Sequence, residues 1–183
     1  MSSLLPQNIL DFWFSERVSK FWFNSSPEFD QELRDRFEAL LNSAVRGDLN
    51  CWEQTADGAL ALAVALDQFP LNMYRGKAES YATGDLAVTV AKAAVAQGLD
   101  QQLPRERVIF LYLPLMHSEN LADQDQSVEL IEKAELSENL RFAKHHREIV
   151  RSFGRFPHRN AALGRESTAE EINYLASKAG YQG

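Results

Sequence analysis

Ser26-Pro-Glu-Phe29-Asp-Gln-Glu-Leu33-Arg-Asp-Arg-Phe37-Glu-Ala-Leu40-Leu41-Asn-Ser-Ala44-Val-Arg-Gly47 decides the fold class of this chain. Phe29, Leu33, Phe37, Leu40, Leu41 and Ala44 recur at steps of three and four, which is one face of a 3.6-residue helix. Pro27 stands where a first helical turn loses nothing by a missing N–H, and Gly47 is placed to end the helix.

The same pattern extends outward in both directions. Pro6 and Pro104 also suit first turns. A helix is predicted from an N-cap at Thr55 through Leu60, Val64 and Asp67 to a break at Phe69-Pro70. Another runs from Thr83 to Gly98, with Leu86, Val90, Ala93 and Ala94 on one side. Pro104 opens a further helix that Pro114 should stop. Two more are predicted over 122–134 and 137–153. A capping box, Thr168-Ala-Glu-Glu171, opens a last helix ending at Gly180. No credible strand pair is present. Connections are short, so successive helices should pack as antiparallel neighbours. The expectation is a single all-α domain over residues 1–183, a helical-hairpin array or orthogonal bundle. No strict repeat period is visible.

Composition agrees with a packed globule. The chain has 183 residues, 45% hydrophobic and 10% aromatic, enough for a core without staples. One cysteine, Cys51, allows no internal disulfide, so a reducing compartment is expected. The N-terminus lacks a signal-peptide pattern. The longest apolar run, Ala59 to Leu66, is 8 residues, too short to span a bilayer. A soluble, cytoplasmic protein with no membrane partner is expected. A net charge of −7 argues against nucleic acid, whose binding needs an extended cationic face.

One segment has the opposite sign. From Arg141 to Arg165 seven Arg and Lys residues face one acid, Glu148, a local +6 that leaves −13 for the rest. Within it lies Arg155-Phe156-Pro157-His158-Arg159-Asn160, which has a partial echo in Gln68-Phe69-Pro70-Leu71-Asn72-Met73-Tyr74-Arg75. Each places Phe-Pro after an amphipathic helix, with Asn and Arg following. A guanidinium held on such a corner offers a planar fork for carboxylate or phosphate oxygens. The plainer reading is two helix-breaking corners whose arginines cap helix ends.

Two ionisable groups fall on stripes that should be buried. Asp67 follows Leu60, Ala63 and Val64. His146 lies among Phe142, Ile149, Val150 and Phe153. A buried carboxylate needs a donor, so Asp67 should contact His146 or an arginine. The pair is either a structural salt bridge or an acid–base pair beneath a cleft. His117-Ser118-Glu119 has no strand–nucleophile–helix elbow and is no triad signal. Adjacent His145 and His146 diverge by about 100° on a helix, among arginines that would repel a cation. No metal and no cofactor are expected. Phe12-Trp13-Phe14 and Phe21-Trp22-Phe23 read as core or a packing lid, and Glu129 to Glu138 as a solvated helix face.

In order along the chain stand Asp11-Phe-Trp-Phe14, then Leu66-Asp67-Gln68-Phe69-Pro70-x-Asn72-x-Tyr74-Arg75-Gly76, then Leu113-Pro114-x-x-His117-Ser118-Glu119. Phe153-Gly-Arg-Phe-Pro-His-Arg-Asn160 and Leu163-Gly-Arg-Glu-Ser-Thr168 follow. Together these resemble the bacterial family called domain of unknown function 924, from about Ile9 to Leu175. The resemblance implies an all-α, tetratricopeptide-like array of about eight or nine helices. It brings no established activity. Leu71 departs from the family's more usual basic residue, which removes one anion contact.

The function expected from these residues is a polar Arg/His/Asp pocket for a small phosphate- or carboxylate-bearing ligand, walled by the two Phe-Pro corners and the His117 loop. Gln68, Asn72, Arg75, Arg155, Arg159, Asn160 and Arg165 are the candidate ligand contacts. Asp67, His117, His146 and His158 are the candidates for proton transfer if the pocket is catalytic. The alternative is a non-enzymatic tetratricopeptide-like adaptor that holds a peptide or acidic tail in a groove. A third account makes the arginines purely structural, paired to the protein's own Asp and Glu.

Overall fold

The computed structural model describes residues 5–177 and 180–181. Among these the protein is all-α, and no strand occurs. The helices are α1 Pro6–Trp13, α2 Glu16–Ser19, α3 Pro27–Val45, α4 Ala56–Ala63, α5 Phe69–Met73, α6 Gly84–Ala96 and α7 Arg105–His117, followed by α8 Leu121–Lys133, α9 Ser137–Phe153 and α10 Ala169–Ala176. A π turn, Val64–Gln68, joins α4 to α5, so these two form one continuous rod. No helix among the described residues is long and apolar enough to cross a membrane.

The sequence reads as one domain, and its contacts fall into two compact units. One comprises Met1–Arg75 with Glu79–Pro114, the other Gly76–Ala78 with Leu115–Gly183. In the first unit α4 packs against α1 and α6, and α3 against α5. Its core is aromatic. Trp13, Leu10, Leu33, Leu60, Phe69 and Phe110 are fully buried. The Trp13 ring meets Phe69 at 5.6 Å and Phe110 at 5.9 Å, while Phe37 stacks on Phe69 at 4.9 Å. The N-terminal aromatics are thus mainly core, with Phe23 the exposed exception.

Local signals behave as the chain suggests. Ser26 and Thr55 cap α3 and α4 through their hydroxyls, satisfying N–H groups that a first turn leaves open. The two internal prolines behave differently. Pro70 does not break its helix, because the π turn precedes it and the N–H of Phe69 bonds to the carbonyl of Val64. Pro70 has no N–H to offer the carbonyl of Leu66. The hydroxyl of Thr83 donates to that oxygen instead, at 2.5 Å. Pro114 likewise sits inside α7, which continues to His117. Buried Leu113 and Leu115 on either side hold the helix together through it.

In the second unit α8 and α9 form a closely packed hairpin. Gly154, at φ 70°, ends α9 in a left-handed turn, and its N–H bonds to the Val150 carbonyl at 2.8 Å. The buried stripe of α9 is Ala143, His146, Ile149 and Val150. Phe142, expected inside, is 48% exposed and lies beside Arg141 instead. On α6, Leu86 is exposed while Ala87, Val88, Val90, Ala91 and Ala94 are buried. α10 ends at Ala176, before the expected Gly180.

Candidate functional site

Of the predicted site residues, Asp67, Gln68, Asn72 and Arg75 lie in the first unit. His117, His146, Arg155, His158, Arg159, Asn160 and Arg165 lie in the second. The π turn carries Asp67 and Gln68, both buried. Gln68 Nε2 donates to Asp67 Oδ2 at 2.6 Å, and Asn72 Nδ2 donates to the Gln68 carbonyl at 2.9 Å. Arg75 donates to Asn72 Oδ1 at 2.8 Å and, through Nε and Nη2, to both oxygens of Asp30 at 2.9 and 3.3 Å. Its fork is therefore filled by one of the protein's own carboxylates.

The second Phe-Pro corner follows Gly154. Phe156 is fully buried, and Pro157–Arg159 form a single 3-10 turn. Two arginine–carboxylate forks secure this corner. Arg155 donates from Nε and Nη2 to Glu171 at 2.7 and 2.9 Å, and from Nη2 to the Glu166 carbonyl. Glu171 is buried and also accepts from Asn160 Nδ2 and the Thr168 N–H. The Arg155 fork and these bonds hold its carboxyl down to about 2. Arg165 donates to Glu119 at 2.7 and 2.9 Å, and to Asn160 Oδ1 at 3.0 Å. Burial pushes the Glu119 carboxyl up, but the Arg165 fork and the Phe156 N–H outweigh it and leave it lowered.

Arg159 is placed otherwise. Its guanidinium lies over the Phe156 ring, 4.4 Å from the centroid, and Nη2 donates to the His117 carbonyl at 2.8 Å. Around the same phenyl ring stand His146 at 5.5 Å and His158 at 5.6 Å. Tyr181 covers these two imidazoles at 4.6 and 5.0 Å, and His117 is 6.4 Å from His146. Three candidate histidines are thus brought together.

Their charge states follow from their surroundings. Burial, with His117 next in weight, pushes His146 down to about 3, although its bond to the Phe142 carbonyl opposes this. Burial also pushes His158 down to about 4, helped by Arg159 and His117 and opposed by Glu119. Both imidazoles are neutral at physiological pH, beside cationic Arg159. His158 Nδ1 is buried and makes no hydrogen bond to a described residue. Ser118 is occupied as a turn residue. Its hydroxyl donates to Asp123 Oδ2 at 2.7 Å and accepts from the Asn120 N–H.

Glu119, Glu171 and Asp30 were not foreseen as partners of the arginines. Gln124 was also missed. It is fully buried, and its amide donates to the carbonyls of Met116 and Ser118 at 2.6 and 2.7 Å, on either side of His117. Gln124, Ser127, Val128 and Ile131 form the buried stripe of α8. A polar residue on an apolar stripe, the signal that found Asp67 and His146, would have found Gln124. Among the described residues no group of three or more His, Cys, Asp or Glu side chains is disposed to hold a metal ion.

A family described as bacterial protein of unknown function (DUF924) matches residues 9–179. The chain is also similar to a solved structure, a protein of unknown function, ATU0120, from Agrobacterium tumefaciens. The identity is 39%, the TM-score 0.86, and the match covers 93% of this chain and 96% of that one. No curated protein matches the chain.

Proposed function

The chain belongs to the bacterial DUF924 family, and from the geometry of its second unit we propose that it binds a small phosphate- or carboxylate-bearing molecule at the histidine cluster. The observation that carries this reading is the gathering of Arg159, His146 and His158 around one buried phenyl ring, Phe156. Arg159 supplies positive charge, and His158 and His117 supply hydrogen bonds. Arg155, Asn160 and Arg165 form the frame, since Glu171 and Glu119 occupy their forks. A neutral imidazole beside a bound acid is equipped to accept a proton, a contribution on the order of 10²–10⁴-fold where a reaction uses it.

The same proposal takes the helix pairs as a tetratricopeptide-like array, with the packed α8–α9 hairpin in support, and the location as cytoplasmic, in keeping with one exposed cysteine. The adaptor reading is less well supported. In this unit the exposed large apolar side chains, Leu121, Phe142 and Ile172, belong to three different helices.

A ligand that binds only the folded protein raises its melting temperature. Phosphate or a dicarboxylate should do so, and Arg159→Gln should remove the response while the variant remains folded. Phosphate also stabilises proteins by exclusion from their surface, so the response in the variant gives the baseline. If wild type and Arg159→Gln respond alike to every anion tried, the reading is wrong.

A further inference from the structure

One hydrogen bond determines what His146 can offer a ligand. Its Nδ1 lies 2.8 Å from the carbonyl oxygen of Phe142, one turn earlier on α9. A carbonyl oxygen only accepts, so Nδ1 carries the proton. The ring is 4% exposed, and His117 and His145 stand 6.4 and 6.3 Å away. A second proton would place an unpaired charge in a buried setting. The imidazole is therefore neutral, with a lone pair on Nε2.

An ionised carboxylate oxygen is also only an acceptor. It can face Arg159 but cannot bond to His146 Nε2. That nitrogen requires a donor, and the ligand must bring it. An ammonium group would donate, yet it would add positive charge beside Arg159. A hydroxyl donates without that penalty. Arg159 and His146 both rest against Phe156, at 4.4 and 5.5 Å from its centroid, so a short molecule can reach both.

We infer that the ligand carries a hydroxyl group close to its acidic group, the hydroxyl donating to His146 Nε2 while the acid faces Arg159. Short-chain hydroxy acids and phosphate esters of short polyols have this chemistry. The inference rests on the anion-binding reading above and adds the class of ligand to it.

Calorimetric titration of the full chain with matched probes tests it. Lactate is compared with propanoate, and glycerol 1-phosphate with propyl phosphate. Leaving a buried acceptor unpaired is costly, so the hydroxylated member of at least one pair should bind about tenfold or more tightly. The pair that shows the preference identifies the acid as carboxylate or phosphate. His146→Phe should abolish the preference and leave the weaker binding of the plain acid. Equal affinity within both pairs overturns the hydroxyl inference alone, and no binding by any probe overturns it together with the anion site. A nitrogen-15 spectrum of the histidine rings adds a check that does not depend on the variant folding. It should show His146 protonated at Nδ1 and bare at Nε2, and a proton on Nε2 instead would overturn the inference.

Discussion

Arg165 grips Glu119 through two parallel hydrogen bonds of 2.7 and 2.9 Å, joining residues 46 positions apart in the chain. Glu119 Oε1 also accepts from the N–H of Phe156, at 2.8 Å. The fork thus ties the segment after α7 to the second Phe-Pro corner. Glu119→Gln removes the charge and one acceptor face while keeping the shape. It should destabilise the protein by about 2 kcal/mol in urea unfolding. Arg165→Lys should cost nearly as much, because an ammonium cannot make the paired bonds. A Lys variant of wild-type stability would reduce the fork to a simple charge contact.

The acid limb of stability should show the buried histidines. Folding lowers His146 to about 3 and His158 to about 4, from an ordinary value near 6.5. Between these values the unfolded chain binds protons that the native state does not, so stability falls as pH falls. The loss begins near pH 6.5 and extends towards pH 4 and below. Glu171, lowered to about 2 by Arg155, adds a second loss as pH drops from about 4.5. Melting temperatures measured from pH 7 to 4 should fall less steeply in a His146→Gln, His158→Gln double variant. Equal slopes would mean that these rings protonate freely in the fold.

Gln124 closes the end of α7. The last carbonyls of a helix have no partner within it, and its amide donates to Met116 and Ser118 while Arg159 donates to His117. Gln124→Leu leaves two carbonyls without these donors and should cost about 2–4 kcal/mol. Calorimetric unfolding measures this directly. Ser127, one turn along the same face, has a buried hydroxyl with no hydrogen-bond partner among the described residues. Ser127→Ala should be neutral or slightly stabilising.

Thr83 and Pro70 are coupled through the carbonyl of Leu66. Thr83→Val removes that oxygen's donor and should cost about 1–2 kcal/mol. Pro70→Ala restores an N–H that can take its place, so Thr83→Val should cost less in that background. A double-mutant cycle by urea unfolding reads the coupling. Strict additivity would show that the hydroxyl does not compensate for the proline.

The fold class was legible because its signals are local. The periodicity of α3, the caps at Ser26 and Thr55 and the capping box at Thr168 each lie within a few residues. The prolines at 70 and 114 were misread for the opposite reason. A proline ends a helix unless something remote compensates, and Thr83 stands 17 residues from Leu66. The histidine cluster was half legible. His146 betrayed itself on an apolar stripe, but its neighbours His117 and His158 come from other segments. The arginine surplus was plain from composition. Its partners were not, since Asp30 with Arg75 and Glu119 with Arg165 are separated by 45 and 46 positions.

The central claim is that the cluster around Phe156 receives an anion. Histidine ring signals followed through a pH titration, with and without inorganic phosphate, test it most directly. Arg159 and His117 help to hold His158 down to about 4 in the free protein, and a bound anion beside them should raise that value. The expected result is an upward shift of the His158 midpoint that saturates with phosphate and disappears in Arg159→Gln. Midpoints of His158 and His146 that stay in place at every phosphate concentration would contradict the account.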